Sequence, residues 1–244
     1  MLPKLYHLLA RVFRLFPKTK TFKLFDMEAT FFVPINNHYV CSDLSDISRK
    51  KREPKLYSWL NGLKHGSVLF DVGTSYGQES AMASSLAEGA ARDVRVVGFD
   101  CSLYQSHFCA LNRKLNGESF RFVFAAISET SGELIRIDAN SDTHIPSLHK
   151  KNVPYEYEVM TLALDDFSEA NGIYPSHIKI DVDGAEMDVL KGASKILSCR
   201  TLKEVFIEVD HKHAGIVALM ENLGFEIKWQ LQKEQNSDIL FSRP

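Results

Sequence analysis

Short apolar runs alternate with segments of helical periodicity along most of the chain after residue 66. Five runs rich in Val, Ile and Phe predict strands, and four amphipathic segments predict helices. Strands without polar alternation are typical of a parallel sheet that helices cover on both faces. The pattern therefore predicts a doubly wound α/β fold. The strands are predicted at 68–72, 94–100, 121–127, 176–182 and 203–209, and the helices near 77–88, 103–115, 185–197 and 213–223.

The alternation of strands and helices stops after Gly224. Two apolar segments, FEIKWQLQ and DILFSR, follow with no helix between them. Strands joined by a short connection run antiparallel. We therefore expect a Rossmann-like sheet of seven strands in which one late strand joins the edge reversed. A polar insertion with short strands is predicted at 132–160, and its Tyr155 and Tyr157 belong either to an acceptor site or to a surface insertion.

The first 60 residues follow a different pattern. Apolar side chains recur at helical spacing in the opening segment MLPKLYHLLARVFRLF. The segments TFKLF and EATFFVPI, on either side of Asp26-Met27, predict a small hairpin, and a charged run follows at 48–55. We therefore divide the chain into an N-terminal extension of residues 1–60, expected as an appendage, and an α/β domain of residues 61–244.

Charge separates the same two parts. The whole chain has a net charge of -2, yet its first 25 residues contain six basic and no acidic side chains. The opening helix then has two open interpretations: contact with a membrane surface through residues 1–20, or packing on its own domain or on a second copy in a homodimer. The acidic remainder favours no nucleic-acid partner. The basic run Arg49–Arg52 fits a phosphate contact or an ordinary solvated helix start.

Composition places the chain among soluble globular proteins. Hydrophobic residues make up 45% of it and charged residues 25%, which excludes disordered and collagen-like classes. The four cysteines are scattered without metal-ligand spacing, which favours reduced thiols in a cytoplasmic protein. Because no run reaches about 18 apolar residues, we predict no transmembrane helix, and peripheral membrane association stays an alternative.

Candidate binding residues follow the first two strands of the predicted sheet. The first strand runs into DVGTSYG at 71–77, and the second ends at Asp100. Gly73 permits a sharp turn, and Gly77 would let a ligand approach the helix start. Ser75 stands where the dinucleotide fingerprint has the glycine that admits a pyrophosphate. The turn therefore favours a nucleoside cofactor without a pyrophosphate.

Asp100 lies where an acidic side chain accepts hydrogen bonds from ribose hydroxyls. Together with the glycine turn, it describes a pocket for an adenosine that carries a charged, phosphate-free tail. S-adenosylmethionine has this structure. Asp71 would then oppose the ammonium of its methionine part, directly or through water.

The fourth predicted strand carries the segment HIKIDVDGAE at 177–186. Lys179, Asp181 and Asp183 alternate in a strand that should be apolar on both faces, and a buried charge without a partner is costly. They predict a reaction centre, with an ion pair that ties the end of the sheet as the alternative. The next strand ends on further candidates: Glu208, Asp210 and His211.

At these positions the chain resembles the FkbM family of methyltransferases, over about residues 66–242. The family implies a class I methyltransferase fold, S-adenosylmethionine as cofactor, and hydroxyls of sugars or secondary metabolites as acceptors. Two positions depart from its pattern: Asp100-Cys101 stands where the family has Glu-Pro, and Asp183 where it has Glu. The resemblance rests on FDVGTSYG at 70–77, Phe99-Asp100, LNRKLN at 111–116, LDD at 164–166, KIDVDGAE at 179–186, LKGA at 190–193 and Ile207-Glu208.

The residues and the resemblance together define the expected site. Either a carboxylate or His211 removes the proton of the acceptor, or three carboxylates hold Mg²⁺, which acidifies the hydroxyl. The expected metal ligands are Asp181, Asp183 and Glu208. The expected catalytic residues are Asp181, Asp183, Glu208, His211 and Lys179. The expected cofactor contacts are Asp71, Gly73, Thr74, Ser75, Tyr76, Gly77, Asp100, Cys101, Ala126 and Asp181.

We therefore predict an O-methyltransferase that acts on a small molecule or a glycan by in-line methyl transfer. Two other classes stay open. A non-catalytic nucleoside-binding module would keep the pocket and lose the chemistry. A nicotinamide-dependent oxidoreductase would share the sheet, but its glycine spacing differs, and none of the eight tyrosines is followed by a lysine four residues later.

Overall fold

The computed structural model describes residues 19–33, 38–86, 92–139, 155–210 and 215–244. The helix predicted at the start of the chain and His211 lie outside these ranges. In chain order the described elements are β1 (Thr19–Leu24), β2 (Met27–Phe32), α1 (His38–Ser48), α2 (Pro54–Asn61), β3 (Val68–Val72), α3 (Gln78–Ser84), β4 (Arg95–Asp100), α4 (Leu103–Leu115), β5 (Arg121–Phe124), β6 (Ala126–Ile127), β7 (Leu134–Ala139), β8 (Tyr155–Leu162), α5 (Leu164–Asn171), β9 (His177–Ile180), α6 (Glu186–Lys191), α7 (Ser194–Ser198), β10 (Glu204–Asp210), α8 (Gly215–Asn222), β11 (Glu226–Gln232) and β12 (Asn236–Ser242).

Seven strands form the central sheet in the order β11-β12-β10-β9-β3-β4-β5. The five strands from β10 to β5 pair in parallel, and β12 pairs antiparallel with both β10 and β11. The predicted seven-stranded sheet with a reversed last strand is confirmed. The reversed strand is not at the edge, however. β11 takes the edge instead: its side chains are mostly exposed, and those of the inner strand β12 are mostly buried.

Two hydrophobic clusters cover the two faces of the sheet. On one face, helices α5 to α8 pack against apolar side chains such as Phe70, Ile180 and Ile207. On the other face, the hairpin β1–β2 and helices α1 to α4 pack around Phe206 and Leu240. Because side chains alternate between faces along a strand, residues two apart share the same cover.

The described part of the N-terminal extension belongs to this packing. Phe31, Leu44 and Tyr57 are almost fully buried in the cluster that contains Phe206. Asn112 on α4 and Asn116, the residue just after α4, lie one turn apart. Their side-chain oxygens accept hydrogen bonds from N–H groups of β2, at 2.7 and 2.8 Å. These residues are therefore a layer of the α/β unit and not the expected appendage.

Two predicted elements, one strand and one helix, differ in the structure. The strand expected at 121–127 splits, because Ala125 donates to the Asp100 carbonyl (3.0 Å) and β6 then pairs with β8 in a separate sheet. The insertion contributes β7 and β8 to that sheet. The helix expected at 185–197 is broken at Gly192, whose missing Cβ would lie 2.0 Å from the Ser128 carbonyl oxygen. Helices α1 and α5 were not predicted, and α2 begins just after the basic run Arg49–Arg52, where one of the two interpretations placed a helix start.

Candidate functional site

Charged side chains from neighbouring strands share one face of the sheet near its carboxyl end. Asp71 on β3 pairs in register with Lys179 on β9, and Glu208 on β10 pairs in register with Asp238 on β12. Asp181 follows Lys179 by two residues and therefore lies on the same face. This is the face that the N-terminal layer covers. The expected convergence of Asp181 and Glu208 is thus built by strand register.

Lys179 is the centre of the first part of this row. Its ammonium donates to the Gly73 carbonyl (2.9 Å) and lies 3.3 Å from Asp71 Oδ1 and 3.5 Å from Asp181 Oδ2. Burial opposes its charge, yet the carboxylates of Asp71 and Asp181 raise the pKa of Lys179. With 2% of its surface exposed, Lys179 offers no surface to a substrate. Its expected catalytic role is therefore corrected to that of an ion-pair partner, which was the alternative interpretation.

Asp71 is fully buried and bound by protein groups. The hydroxyls of Thr74 and Ser80 both donate to Oδ2, at 2.7 and 2.6 Å, and Lys179 lies against Oδ1. Asp71 is thus not available to oppose a ligand ammonium, as the sequence had suggested. By accepting these hydrogen bonds, the buried Asp71 carboxylate stabilises the turn after β3.

That turn depends on glycine at Gly73. Its φ is +79°, and a Cβ there would lie 1.8 Å from the Asp181 carbonyl oxygen. Gly77 also has a positive φ, but its missing Cβ would meet Cys109 Sγ at 2.9 Å and Phe120 at 3.1 Å. Packing against Cys109 and Phe120 therefore requires glycine at this position, and approach of a ligand to the helix start at Gly77 stays a prediction.

Asp100 joins the turn after β3 to the loop after β4. Its Oδ2 accepts from the Ser75 N–H (2.8 Å) and its Oδ1 from the Ser102 N–H (2.7 Å). Burial, which outweighs these two bonds, raises the pKa of Asp100 to about 6. Each carboxylate oxygen can accept a second hydrogen bond. The carboxylate therefore fits the two hydroxyls of a ribose, as a nucleoside cofactor requires.

The remaining expected cofactor residues lie either inside the turn after β3 or under the insertion. Thr74 and Tyr76 are buried, and the Tyr76 ring packs against Phe108, so their side chains serve the protein interior. Cys101 is half-buried beside Ala126 in a small cluster under the insertion. Burial and the Asp100 charge raise the pKa of the Cys101 thiol to about 12.

Sequence reasoning missed the second charged centre, Lys233. Its ammonium lies 2.7 Å from Glu53 Oε1, 3.0 Å from Glu208 Oε2 and 2.7 Å from Asp238 Oδ1. Glu53 precedes α2, so this contact ties the N-terminal layer to the end of the sheet. Burial is the largest cause that raises the pKa of Glu208, and the negative charge of Asp181 raises this pKa further. The only signal in the sequence was a pair of opposite charges in the β11–β12 hairpin.

The expected Mg²⁺ ligands do not form a metal site. Among the residues that the structure describes, no group of three His, Cys, Asp or Glu side chains is placed to share a metal ion. Glu208 is instead bound by Lys233 and by the side-chain amide of Asn236. Asp183 is exposed on a turn with a φ of +48°. Asp181, with a side chain that is 39% exposed, is the accessible carboxylate of the row.

Comparison with known proteins decides the family. Residues 71–227 match the family model of the methyltransferase FkbM domain. The chain belongs to the FkbM methyltransferase family. This confirms the resemblance to that family. A search of curated proteins gives no match.

Solved structures that are similar to this chain include an FkbM methyltransferase from Methylobacillus flagellatus KT. It is 16% identical with a TM-score of 0.53, and the match covers 81% of this chain and 53% of that one, so this chain spans about half of its length. Fibrillarin from Aeropyrum pernix, with natively bound S-adenosyl-L-methionine, is 10% identical with a TM-score of 0.48 over 78% and 74% of the chains. A precorrin-6y C5,15-methyltransferase from Geobacter metallireducens GS-15 is 12% identical with a TM-score of 0.49 over 80% and 88% of the chains.

Within the described ranges of this FkbM protein, no helix is long and apolar enough to cross a membrane.

Proposed function

We propose that this protein transfers a methyl group from S-adenosylmethionine to a hydroxyl of a sugar, a glycan or a secondary metabolite. One observation carries the proposal. Asp181 presents a partly exposed carboxylate at the same carboxyl end of the sheet as Asp100, and this carboxylate forms an ion pair with the buried Lys179. When bound, S-adenosylmethionine supplies an electrophilic methyl group. The residues of the chain must bind the nucleoside, orient the acceptor and take its proton.

Asp100 is the residue proposed to hold the ribose. The N–H groups of Ser75 and Ser102 fix its two oxygens before any ligand arrives. Such pre-organisation lowers the entropy that binding must offset. The backbone of Ser75 adopts a positive φ of 52° at the turn, which aims its N–H at this carboxylate. The turn and the carboxylate thus form one unit of the cofactor site.

Asp181 is the proposed general base. A hydroxyl is a weak nucleophile until a positioned group removes its proton. The Asp181 N–H donates to the Val72 carbonyl (3.1 Å), and its carbonyl packs against Gly73, so its backbone is fixed beside the cofactor turn. Asp183, two residues further on, is the second candidate. The role of His211 stays a sequence-based prediction.

The test uses the full chain and labelled S-adenosylmethionine with a panel of nucleotide sugars and glycans. Asp181→Asn should keep cofactor affinity within about twofold and lower turnover by about 10²-fold to 10⁴-fold, the usual contribution of a general base. Asp93→Asn is the control. Asp93 is exposed and lies just before β4, at the amino ends of the parallel strands, whereas Asp181 lies at their carboxyl ends.

Each alternative has its own result. Unchanged turnover in Asp181→Asn would contradict the assignment of the base. Methylation of amine acceptors alone would contradict O-methylation. Cofactor binding without transfer to any acceptor would favour the binding module. Delivery to a membrane-borne acceptor by residues 1–20 is a separate proposal, and it fails if their deletion leaves membrane association unchanged.

A further inference from the structure

Tyr157, on strand β8 of the insertion, contacts the loop that follows β4. Its hydroxyl donates to the Cys101 carbonyl (2.9 Å) and accepts a hydrogen bond from the Leu103 N–H (3.1 Å). Both partners are backbone groups, and they lie on either side of Ser102. A single hydroxyl therefore fixes the backbone before and after one residue.

Ser102 connects this contact to the cofactor side. Its N–H donates to Asp100 Oδ1 (2.7 Å), and its hydroxyl caps α4 by accepting from the Gln105 N–H (3.3 Å). Leu103 is the first residue of α4, where a backbone N–H has no partner within the helix. Tyr157 supplies that partner from outside the helix. The orientation of the Ser102 N–H thus depends on a side chain more than 50 residues away in the chain.

The ring of Tyr157 adds a second constraint. It packs half-buried against the small cluster of Ala126, Ile137 and Val159, together with Cys101. Ile137 is also its register partner on β7. The hydroxyl is therefore held in place by the sheet of the insertion. The insertion contacts the loop on the cofactor side, which neither of its two sequence-based interpretations included.

We propose that Tyr157 is a positioning residue for S-adenosylmethionine. Through the Ser102 N–H, it holds the Asp100 carboxylate where it can accept hydrogen bonds from the ribose hydroxyls. The inference rests on the use of S-adenosylmethionine by this protein and not on the hydroxyl acceptor proposed above.

The first experiment measures S-adenosylmethionine binding to the full chain by calorimetry, without an acceptor. Tyr157→Phe keeps the ring and removes both hydrogen bonds, so the Kd should rise about fivefold to tenfold. Tyr174→Phe is the matched control, because Tyr174 is 53% exposed, and its Kd should stay within about twofold of wild type. In a double variant with Asp100→Asn, Tyr157→Phe should add no further loss, because its effect passes through Asp100.

The pH dependence of binding separates positioning from general stabilisation. The Asp100 carboxylate is buried beside the charges of Lys179 and Asp71 and the thiols of Cys101 and Cys109. Tyr157→Phe changes none of these charges and loosens only the Ser102 N–H, a bond that lowers the pKa of Asp100. The pH midpoint of binding should therefore move upward in Tyr157→Phe and stay in place in Tyr174→Phe.

Hydrogen exchange gives a readout that needs no ligand. The Leu103 amide should exchange about tenfold faster in Tyr157→Phe, while amides in β9 and β10 keep their protection. Loss of thermal stability with an unchanged Kd and an unchanged pH midpoint would overturn the proposal, since Tyr157 would then only support the fold. Failure of the wild-type chain to bind S-adenosylmethionine would overturn the proposed function itself, and this inference with it.

Discussion

The ammonium of Lys179 lies 3.3 Å from the Asp71 carboxylate, and both side chains are buried between the sheet and the N-terminal layer. The same ammonium donates to the Gly73 carbonyl and approaches Asp181. One buried cation therefore connects the turn after β3, at Gly73, to Asp181, the proposed base. Such a pair is valuable for geometry more than for stability, because two charges had to leave water.

Removal of one partner should be far more costly than removal of both. Lys179→Met leaves Asp71 as a buried charge without its cation, and we expect the free energy of unfolding to fall by about 3 to 5 kcal/mol. The double variant Lys179→Met with Asp71→Asn should recover part of that loss. Urea unfolding measures both. Lys114→Met, in an exposed ion pair with Glu118, is the control and should change little. Equal losses in the single and double variants would contradict the buried-pair explanation.

Gly73→Ala should destabilise the protein through a steric clash and not only through its positive φ. Gly66 is the matched control, because its φ of +77° is nearly the same as the +79° of Gly73 and no atom lies within 4 Å of its missing Cβ. We expect Gly66→Ala to cost about 1 kcal/mol and Gly73→Ala about 3 kcal/mol or more. Gly73→Ala should also weaken S-adenosylmethionine binding. Similar losses of stability in the two variants would show that the Asp181 carbonyl can move away.

Cofactor affinity should depend on pH through Asp100. Its pKa lies at about 6, raised by burial, and only the ionised carboxylate can accept two hydroxyl hydrogen bonds. Above pH 6 the affinity should be constant, and below it the affinity should fall by up to about tenfold per pH unit. Calorimetry between pH 5 and 8 measures the effect. Asp100→Asn should bind more weakly and lose this dependence, and retention of the slope in that variant would assign it to another group.

Asp238 should make the fold less stable as pH rises. Lys233 is one ammonium shared by three carboxylates. Burial, opposed by Lys233 and aided by the charge of Glu53, raises the pKa of Asp238 to about 7. Between its unfolded value of 3.8 and 7, the folded state binds more protons, so stability is lost as pH rises through this window.

Asp238→Asn keeps a neutral side chain at every pH. The fall in unfolding free energy between pH 5 and 8 should therefore be smaller in this variant, by about 1 to 2 kcal/mol. Denaturant unfolding at several pH values measures the slope, and Asp93→Asn should follow the wild-type curve. Parallel curves for Asp238→Asn and wild type would mean that the proton is held elsewhere in the cluster.

The core strands, the cofactor turn and the family could be predicted from the sequence, because each depends on local features. A strand buried on both faces must be apolar along its length, as in VLFDV before the turn. A chain that leaves such a strand with a positive φ favours glycine, as at Gly73. Charged residues inside the segment 179–183 marked the site for the same reason, since a buried strand tolerates them only with partners.

Tertiary structure alone decided which partners those charges have. The Lys233 ammonium binds Glu53, 180 residues earlier in the chain, and Glu208, 25 residues earlier. β12 lies between β10 and β11, and its central side chains are buried there. The accessibility of Asp181, the burial of Asp71 and the contact of Tyr157 with the Asp100 loop arose in the same way. Strand register and packing bring together groups whose spacing along the chain carries no signal, and these contacts determine which carboxylates can meet a ligand.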